Sequence, residues 1–298
     1  MNVFFQDYQN IIKTHDLQDK QIWNMDETHI RLLVNRRRLA GYLGGEQPVH
    51  EMENSEEHKT SCMFINAAGD HMKSTIILPL KCVPPLTEEN MSNFDYSFSD
   101  SGWIEGKMFK TMIEEVFLRR LEKYKKDNNL EGKYTLLVLD NHSSRNFLDV
   151  KKLYDDHQLI ISFIPPHSSA LLQPLDLGPN LTLKQIYSKL YLPDINDDSN
   201  ERRNKSLSAL HLAESHAMSK FTIVNSWKRS GLWPVNSSVV TKSCMVKPER
   251  NTSILSKRGA KMESGSILID GTTIVQSGQP DKENIAPPNK KARKATNK

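Results

Sequence analysis

The amino-acid sequence predicts an α/β fold, a mixed β-sheet flanked by helices, on three observations. Two extended stretches, 61–69 and 74–82, are separated by a glycine-containing turn and favour a pair of antiparallel strands. Apolar runs at 134–140 and 159–166 enclose one helical segment, which is the pattern of a βαβ unit with parallel strands. Over 109–121 apolar residues recur at steps of three and four, the stripe of an amphipathic helix.

The other predicted elements follow from the same periodicities. Residues 1–20 have the spacing of a short helix that leads into the core. Side chains of residues 21–27 alternate between two faces, as those of a strand do, and the apolar residues at 32–34 indicate a neighbouring strand. A second amphipathic helix is expected over 183–190, and an apolar element around 207–235 is expected to pack back onto the core.

Composition and charge divide the 298 residues into a core and a tail. Residues 241–298 hold 12 Lys/Arg against 5 Asp/Glu, so most of the positive charge of the chain lies there. We therefore expect a lead-in helix over 1–20, the main domain over 21–236, and a basic, largely disordered tail over 237–298. The main domain is mildly acidic, although proteins that grip DNA by its backbone usually present a basic face.

Two classes of protein are disfavoured by simple counts. The three cysteines show neither CxxC spacing nor a nearby histidine, so no disulfide framework and no structural zinc is predicted. No apolar run approaches the roughly 20 residues that a membrane-spanning helix needs, and we expect no membrane association.

Three aspartates stand where predicted core elements begin or end. Asp26 lies on the first strand, Asp140 follows the apolar run at 134–140, and Asp176 shortly precedes a helix. Carboxylates from distant parts of a chain can together hold hard divalent ions, which catalyse phosphodiester chemistry. Each aspartate alone is equally consistent with capping a turn or a helix.

The sequence segments around these acids are more specific for a protein family than the spacing of the acids. The segments WNMDET, LLVLDNHSS and PPHSSALLQPLDLG surround Asp26, Asp140 and Asp176 respectively. In order and spacing they resemble the catalytic blocks of the DDE superfamily endonuclease domain in the pogo and Tigger branch of the Tc-mariner transposases. INAAG and SWKRSGLWPVN resemble further segments of that family, so the resemblance spans roughly residues 10–235.

The resemblance implies a ribonuclease H-like fold and a specific chemistry. Asp26, Asp140 and Asp176 would be the catalytic residues and the ligands of two Mg²⁺ or Mn²⁺ ions. One ion would activate the attacking water or 3′-hydroxyl, and the other would stabilise the leaving oxygen. The chain departs from the family at Pro179 and Asn180, where bulky apolar residues are common, and at Ala170, where histidine is common.

The resemblance also implies DNA as the partner. Family members usually carry helix-turn-helix domains before the catalytic core, whereas few residues precede Asp26 here, so a separate DNA-recognition protein is expected. The basic run Arg36, Arg37 and Arg38 is either a contact to DNA backbone or a solvated turn. The cluster PPNKKARK at 287–294 has the composition of a nuclear import signal and predicts nuclear localisation. Nothing in the sequence indicates the oligomeric state.

Two functions remain open at this stage. The first is a transposase-derived protein with an active, metal-dependent endonuclease and strand-transfer core. The second is a domesticated nuclear protein that binds DNA or chromatin without cutting. Beside the acids, Glu27 and Asn141 either orient the carboxylates or cap turns, and His142 and His167 either contact phosphate or are polar surface.

Overall fold

A single mixed sheet organises the part of the chain that the structure describes. The computed structural model describes residues 2–31, 58–192, 194 and 196–239. Six strands in these ranges form one sheet in the order β4-β3-β2-β1-β5-β6. The strands are β1 (Ile22–Arg31), β2 (His58–Asn66), β3 (Thr75–Leu78), β4 (Asp95–Phe98), β5 (Thr135–Leu139) and β6 (Leu159–Phe163).

Strand directions confirm both sequence-based pairings. β2 pairs antiparallel with β1 and with β3, and the neighbours β1, β5 and β6 run parallel. A helix connects β5 to β6, as the predicted βαβ unit requires. The antiparallel β3-β2-β1 segment joined to the parallel β1-β5-β6 segment is the ribonuclease H-like arrangement, and β4 extends it by pairing parallel to β3.

Helices cover both faces of this sheet. The predicted amphipathic helix is one continuous segment, α3 (Gly106–Thr111) and α4 (Leu118–Asp127) joined by the π-helical turn Met112–Phe117. The predicted lead-in helix is α1, and the helix after Asp176 is α7. Apart from α3 and α4, the α-helices in the described ranges are α1 (Asn2–Thr14), α2 (Glu88–Asn93), α5 (Val150–His157), α6 (Ser169–Leu172), α7 (Pro179–Leu190), α8 (Ser199–Ala217) and α9 (Lys220–Ser230).

The alternation of β1 builds a core on each side of the sheet. Ile22 and Ile30 lie in the cluster that α1, α7, α8 and α9 cover. Trp23 and Met25 lie in the cluster under the continuous 106–127 helix. Because successive strand residues point to opposite faces, one ten-residue strand supplies both cores.

The apolar element predicted around 207–235 packs onto the core as α8 and α9, and α8 begins earlier than the polar sequence suggests. α8 begins at Ser199 behind a capping box, in which Asp198 accepts from the backbone of Glu201 and Glu201 accepts from the backbone of Asp198. Its buried face includes Arg203 and Ser206 as well as leucines, so the sequence shows no clean apolar stripe. The short edge strand β4 also escaped prediction, because its four residues are only half-buried.

Several sequence-based predictions lie outside the described residues. These are the strand at 32–34, the basic run Arg36 to Arg38 and the cluster at 287–294. The predicted tail, 237–298, is described only to residue 239.

Glu214 of α8 is expected to make stability depend on pH. Its Oε1 accepts a hydrogen bond from Ser61 Oγ at 3.1 Å, and burial raises the pKa of this carboxyl to about 7. A carboxyl with a raised folded pKa stabilises the fold at low pH, and the contribution is lost as the pH rises towards 7. Glu214→Gln should therefore raise the free energy of unfolding by about 1 to 3 kcal/mol relative to the wild type at pH 8 and have little effect at pH 4. Urea unfolding at both pH values measures this, with the exposed Glu122→Gln as control; an equal effect of Glu214→Gln at the two pH values would contradict it.

Candidate metal and catalytic site

The parallel pair β1 and β5 places two of the predicted acids side by side. Asn24 is in register with Val138, and Asp26 and Asp140 each lie two residues further towards the carboxyl end. Asp26 is buried, and the side chain of Asp140 is 25% exposed. Carboxyl ends of parallel strands meet at one edge of a sheet, so two carboxylates far apart in sequence share that edge.

Asp176 reaches the same edge through a short turn after α6. Asp176 lies in the 3₁₀ turn Leu175–Leu177. The Leu175 N–H donates to Asn24 Oδ1 at 3.1 Å, while Asn24 Nδ2 donates to the carbonyl of Val138 at 2.9 Å. Asn24 therefore ties the turn to both β1 and β5, which fixes the third acid relative to the other two.

Helix α9 supports this turn from outside. It packs against the turn Leu175–Leu177, and it approaches the following residue, Gly178, very closely. A Cβ at Gly178 would lie 3.3 Å from Ser226 Cβ, which is tighter than ordinary van der Waals contact. The absence of a side chain at Gly178 thus lets α9 pack against the segment that carries Asp176.

Asn180 bridges two of the acids. From the first turn of α7, its Nδ2 donates to Asp26 Oδ2 at 2.9 Å and to Asp176 Oδ1 at 3.0 Å. Its side chain is 4% exposed, and its Oδ1 is buried without a hydrogen-bond partner among the described residues. A buried amide oxygen without a partner is costly, and here it is the amide nitrogen, not this oxygen, that faces the two aspartates.

Arg145 holds the other two carboxylates. Its guanidinium donates to both oxygens of Glu27 at 2.7 Å, and its Nε donates to Asp140 Oδ1 at 3.0 Å. The Arg145 side chain is 1% exposed and its Cζ lies 4.0 Å from the centre of the Phe109 ring. A bidentate pair stacked on an aromatic ring is among the strongest ways to hold an arginine.

The electrostatics of the site follow from this concentration of acids. Burial, together with the charges of Asp176, Glu27 and Asp140, raises the pKa of Asp26 well above its ordinary value. Burial opposes the charge of Arg145, but the hydrogen bonds and charges of Glu27 and Asp140 outweigh it and raise the pKa of this guanidinium. The cluster consequently favours any cation that can lie among its carboxylates.

The donor set fits a hard divalent ion, although the side chains are not arranged around one. Within the described residues, no group of three or more His, Cys, Asp and Glu side chains is placed to hold an ion as it stands. The reason is that Asn180 Nδ2 lies between Asp26 and Asp176, while Arg145 binds Asp140. The carboxylates of Asp26, Asp140 and Asp176 are nevertheless oxygen donors, the kind that Mg²⁺ and Mn²⁺ prefer.

The structure brings the three predicted acids to one edge of the sheet, while their role as ligands stays a prediction. Glu27 pairs with Arg145, which favours an orienting role over a turn cap. His142 and His167 lie in exposed loops. The roles of Arg145 and Asn24 were not predicted. The sequence signal for Arg145 is its place five residues after Asp140, where a 3₁₀ turn folds it back.

Comparison with protein families identifies the class of this domain. The model for the DDE superfamily endonuclease matches residues 56–228, more than half of the chain. The chain therefore belongs to the DDE superfamily endonuclease family. The matched range includes Asp140 and Asp176 and leaves Asp26 before its start.

Individual relatives are more distant. The chain is 25% identical to the MFS-type transporter clz9 of Cochliobolus lunatus over 234 residues, which are 76% of the chain. It is 23% identical to the human (Homo sapiens) Tigger transposable element-derived protein 7 over 199 residues, which are 58% of the chain. These matches span only 24% and 36% of the two relatives.

No helix in the described ranges is both long and apolar enough to cross a membrane.

Solved structures of Mos1 transposase resemble the chain at low similarity. The Mos1 mariner paired end complex with Mn aligns with 82% of this chain and 62% of its own, at 13% identity and a TM-score of 0.44. The Mos1 strand transfer complex aligns with 83% of this chain and 63% of its own, at 13% identity and a TM-score of 0.42.

Proposed function

We propose that the chain is a transposase-derived nucleic-acid-binding protein whose core cleaves and transfers DNA strands with the help of divalent metal. The observation that carries the proposal is the convergence of Asp26, Asp140 and Asp176 at one sheet edge, where their charges act on one another. Membership of the DDE endonuclease family supports the same chemistry. The chain spans only 24% and 36% of these two relatives, so the proposal concerns this domain alone.

Asp26, Asp140 and Asp176 are the proposed ligands of Mg²⁺ or Mn²⁺. When bound, such an ion would polarise a phosphate oxygen and stabilise charge on the leaving oxygen. The protein's own part is to hold the acids in place through Asn24 and to exclude water from Asp26 by burial. DNA is the proposed substrate, a separate protein its proposed recognition partner, and the nucleus the proposed location, on account of the basic cluster at 287–294.

Cleavage of a supercoiled plasmid tests this proposal. With Mn²⁺ present, the 298-residue chain is expected to nick the plasmid, and Asp140→Asn is expected to do so about a hundredfold more slowly or worse. The physical reason is that the substitution removes a ligand charge whose contribution to the transition state is several kcal/mol. Nicked and supercoiled DNA are quantified on agarose gels over time.

Asp156→Asn is the matched control, because this carboxylate lies exposed on α5, away from the sheet edge. It should cut at the wild-type rate. Equal nicking by wild type and Asp140→Asn would trace the cleavage to a contaminating nuclease and contradict the proposal.

A second function is favoured by one specific contact. Arg145 forms ion pairs with Asp140 and Glu27, so Asp140 already has a cationic partner without any metal ion. Such a contact favours a catalytically inactive, domesticated protein that binds DNA or chromatin in the nucleus. In that case wild type and Asp140→Asn would bind DNA equally in a gel-shift assay, and neither would nick it at any Mn²⁺ concentration.

A further inference from the structure

Trp103 presents a half-exposed aromatic ring near the carboxylate cluster. It is 52% exposed, whereas Trp23 and Trp227 are fully buried in the core. Its ring centre lies 3.7 Å from that of His29, a residue of β1. His29 follows Glu27 by two residues on the same face of that strand, so about 7 Å of strand lies between them. The exposed ring is therefore close to the acids at the sheet edge.

Contacts with β2 fix the backbone that carries this ring. Thr60 Oγ1 donates to the carbonyl of Gly102 at 2.7 Å. His58 Nε2 donates to the carbonyl of Ser101, also at 2.7 Å. Gly102 has a φ of +67°, which other residues rarely adopt, and a Cβ there would lie 3.1 Å from His58 Nε2. The ring of Trp103 is thus exposed on a backbone that is held in one position.

A second flat aromatic ring is the ligand that this arrangement favours. Half of a large apolar side chain is left in water, and a flat partner would cover it by stacking. Nucleobases are such partners, because every base has an aromatic face that can stack on a side chain. In duplex DNA both faces of a base are covered by its neighbours, so only an unpaired or extruded base can stack on the protein.

We propose that Trp103, backed by His29, stacks on an unpaired base of the DNA strand that lies at the carboxylate cluster. The inference rests on the part of the proposed function that names DNA as the partner. A strand whose phosphate lies at the acids has its neighbouring bases within reach of the ring, since ring and acids are separated by only about 7 Å of strand. The acids would then act on the phosphate, and the ring would hold the base.

Binding of single-stranded DNA in EDTA tests the inference without any cleavage. The probe is a labelled oligothymidylate of about 20 nucleotides, and fluorescence anisotropy measures its affinity for the 298-residue chain. Trp103→Leu is expected to bind about tenfold more weakly than the wild type, since it keeps an apolar side chain and loses the aromatic ring. Trp103→Phe should retain most of the affinity, because it restores a ring.

Three comparisons separate base stacking from other effects. An abasic strand of the same length and charge should bind equally to the wild type and to Trp103→Leu. A fully paired duplex should also bind equally to both, because its bases are not free to stack. Phe221→Leu removes another aromatic ring, 79% exposed on α9, and should bind oligothymidylate as the wild type does.

Several outcomes would overturn the inference. These are equal binding of oligothymidylate by the wild type and Trp103→Leu, no binding by the wild type, an equal loss in Phe221→Leu, and an equal loss with the abasic strand or the duplex. Should Trp103→Leu fail to fold, as circular dichroism would show, the wild type must still prefer oligothymidylate to the abasic strand by about tenfold.

The binding assay and the plasmid assay fail independently. If oligothymidylate is bound through Trp103 but the plasmid is not nicked, the proposed nuclease activity fails and the inference stands. If the plasmid is nicked and Trp103→Leu binds oligothymidylate as tightly as the wild type, the inference alone fails.

Discussion

Replacing Arg145 with methionine is expected to lower the free energy of unfolding by about 3 kcal/mol at pH 7, because it leaves Glu27 and Asp140 without their common cation. Breaking a buried ion pair usually costs roughly 3 to 5 kcal/mol, and the lower end applies because a quarter of the Asp140 side chain is exposed. Methionine retains an apolar contact to Phe109, so the loss reports mainly the missing charge. Urea unfolding in metal-free buffer measures the change.

The matched control is Arg120→Met. Arg120 also pairs with an aspartate, Asp95, but that partner is 38% exposed, so water screens the interaction. Its loss should cost less than about 1 kcal/mol. The double variant Arg145→Met with Glu27→Gln should regain part of the lost stability, because it also removes one of the two orphaned charges. A similar loss in both single variants, with no recovery in the double variant, would refute the assignment of Arg145 as the buried counter-ion.

The second large effect is expected at Trp227, the fully buried tryptophan of α9. Trp227→Ala should lower the free energy of unfolding by about 3 to 5 kcal/mol, since it removes a large side chain from the core and leaves a cavity. Because α9 packs against the turn that carries Asp176, we also expect weaker Mn²⁺ binding in the fraction that remains folded. Thermal unfolding followed by tryptophan fluorescence or circular dichroism, with and without Mn²⁺, reports both effects.

Trp103 provides the comparison, because it is 52% exposed and its ring lies against those of His29 and His58. Trp103→Ala should cost less than about 1 kcal/mol and leave Mn²⁺ stabilisation unchanged. Comparable destabilisation by the two alanine variants would show that α9 does not support the site in the way its packing indicates.

Local pattern was enough to predict the elements that carry the acids. Alternation along β1, the unbroken apolar run of β5 and the stripe from Phe109 each reflect burial on a known face of a strand or helix, so their types were confirmed, as was the parallel pairing of β5 with β6. The apolar element predicted around 207–235 does pack onto the core, but the start of α8 was missed, because its buried face includes Arg203 and Ser206 alongside Leu207 and Leu210. Polar residues on a buried helix face are satisfied by tertiary partners that no periodicity reveals.

The sequence by itself determined the mixed sheet, the family resemblance and the choice of three aspartates as candidate site residues. These depend on local periodicity and on short motifs that occur in a fixed order. Only the tertiary structure decided what each aspartate contacts. Asp26 and Asp176 share Asn180, and Asp140 shares Arg145 with Glu27, a residue 118 positions away from that arginine. Charge pairing acts through space over a few ångströms, whereas the patterns of a sequence report neighbours along the chain. The balance between carboxylates and built-in cations therefore became visible only when the sheet edge had been assembled.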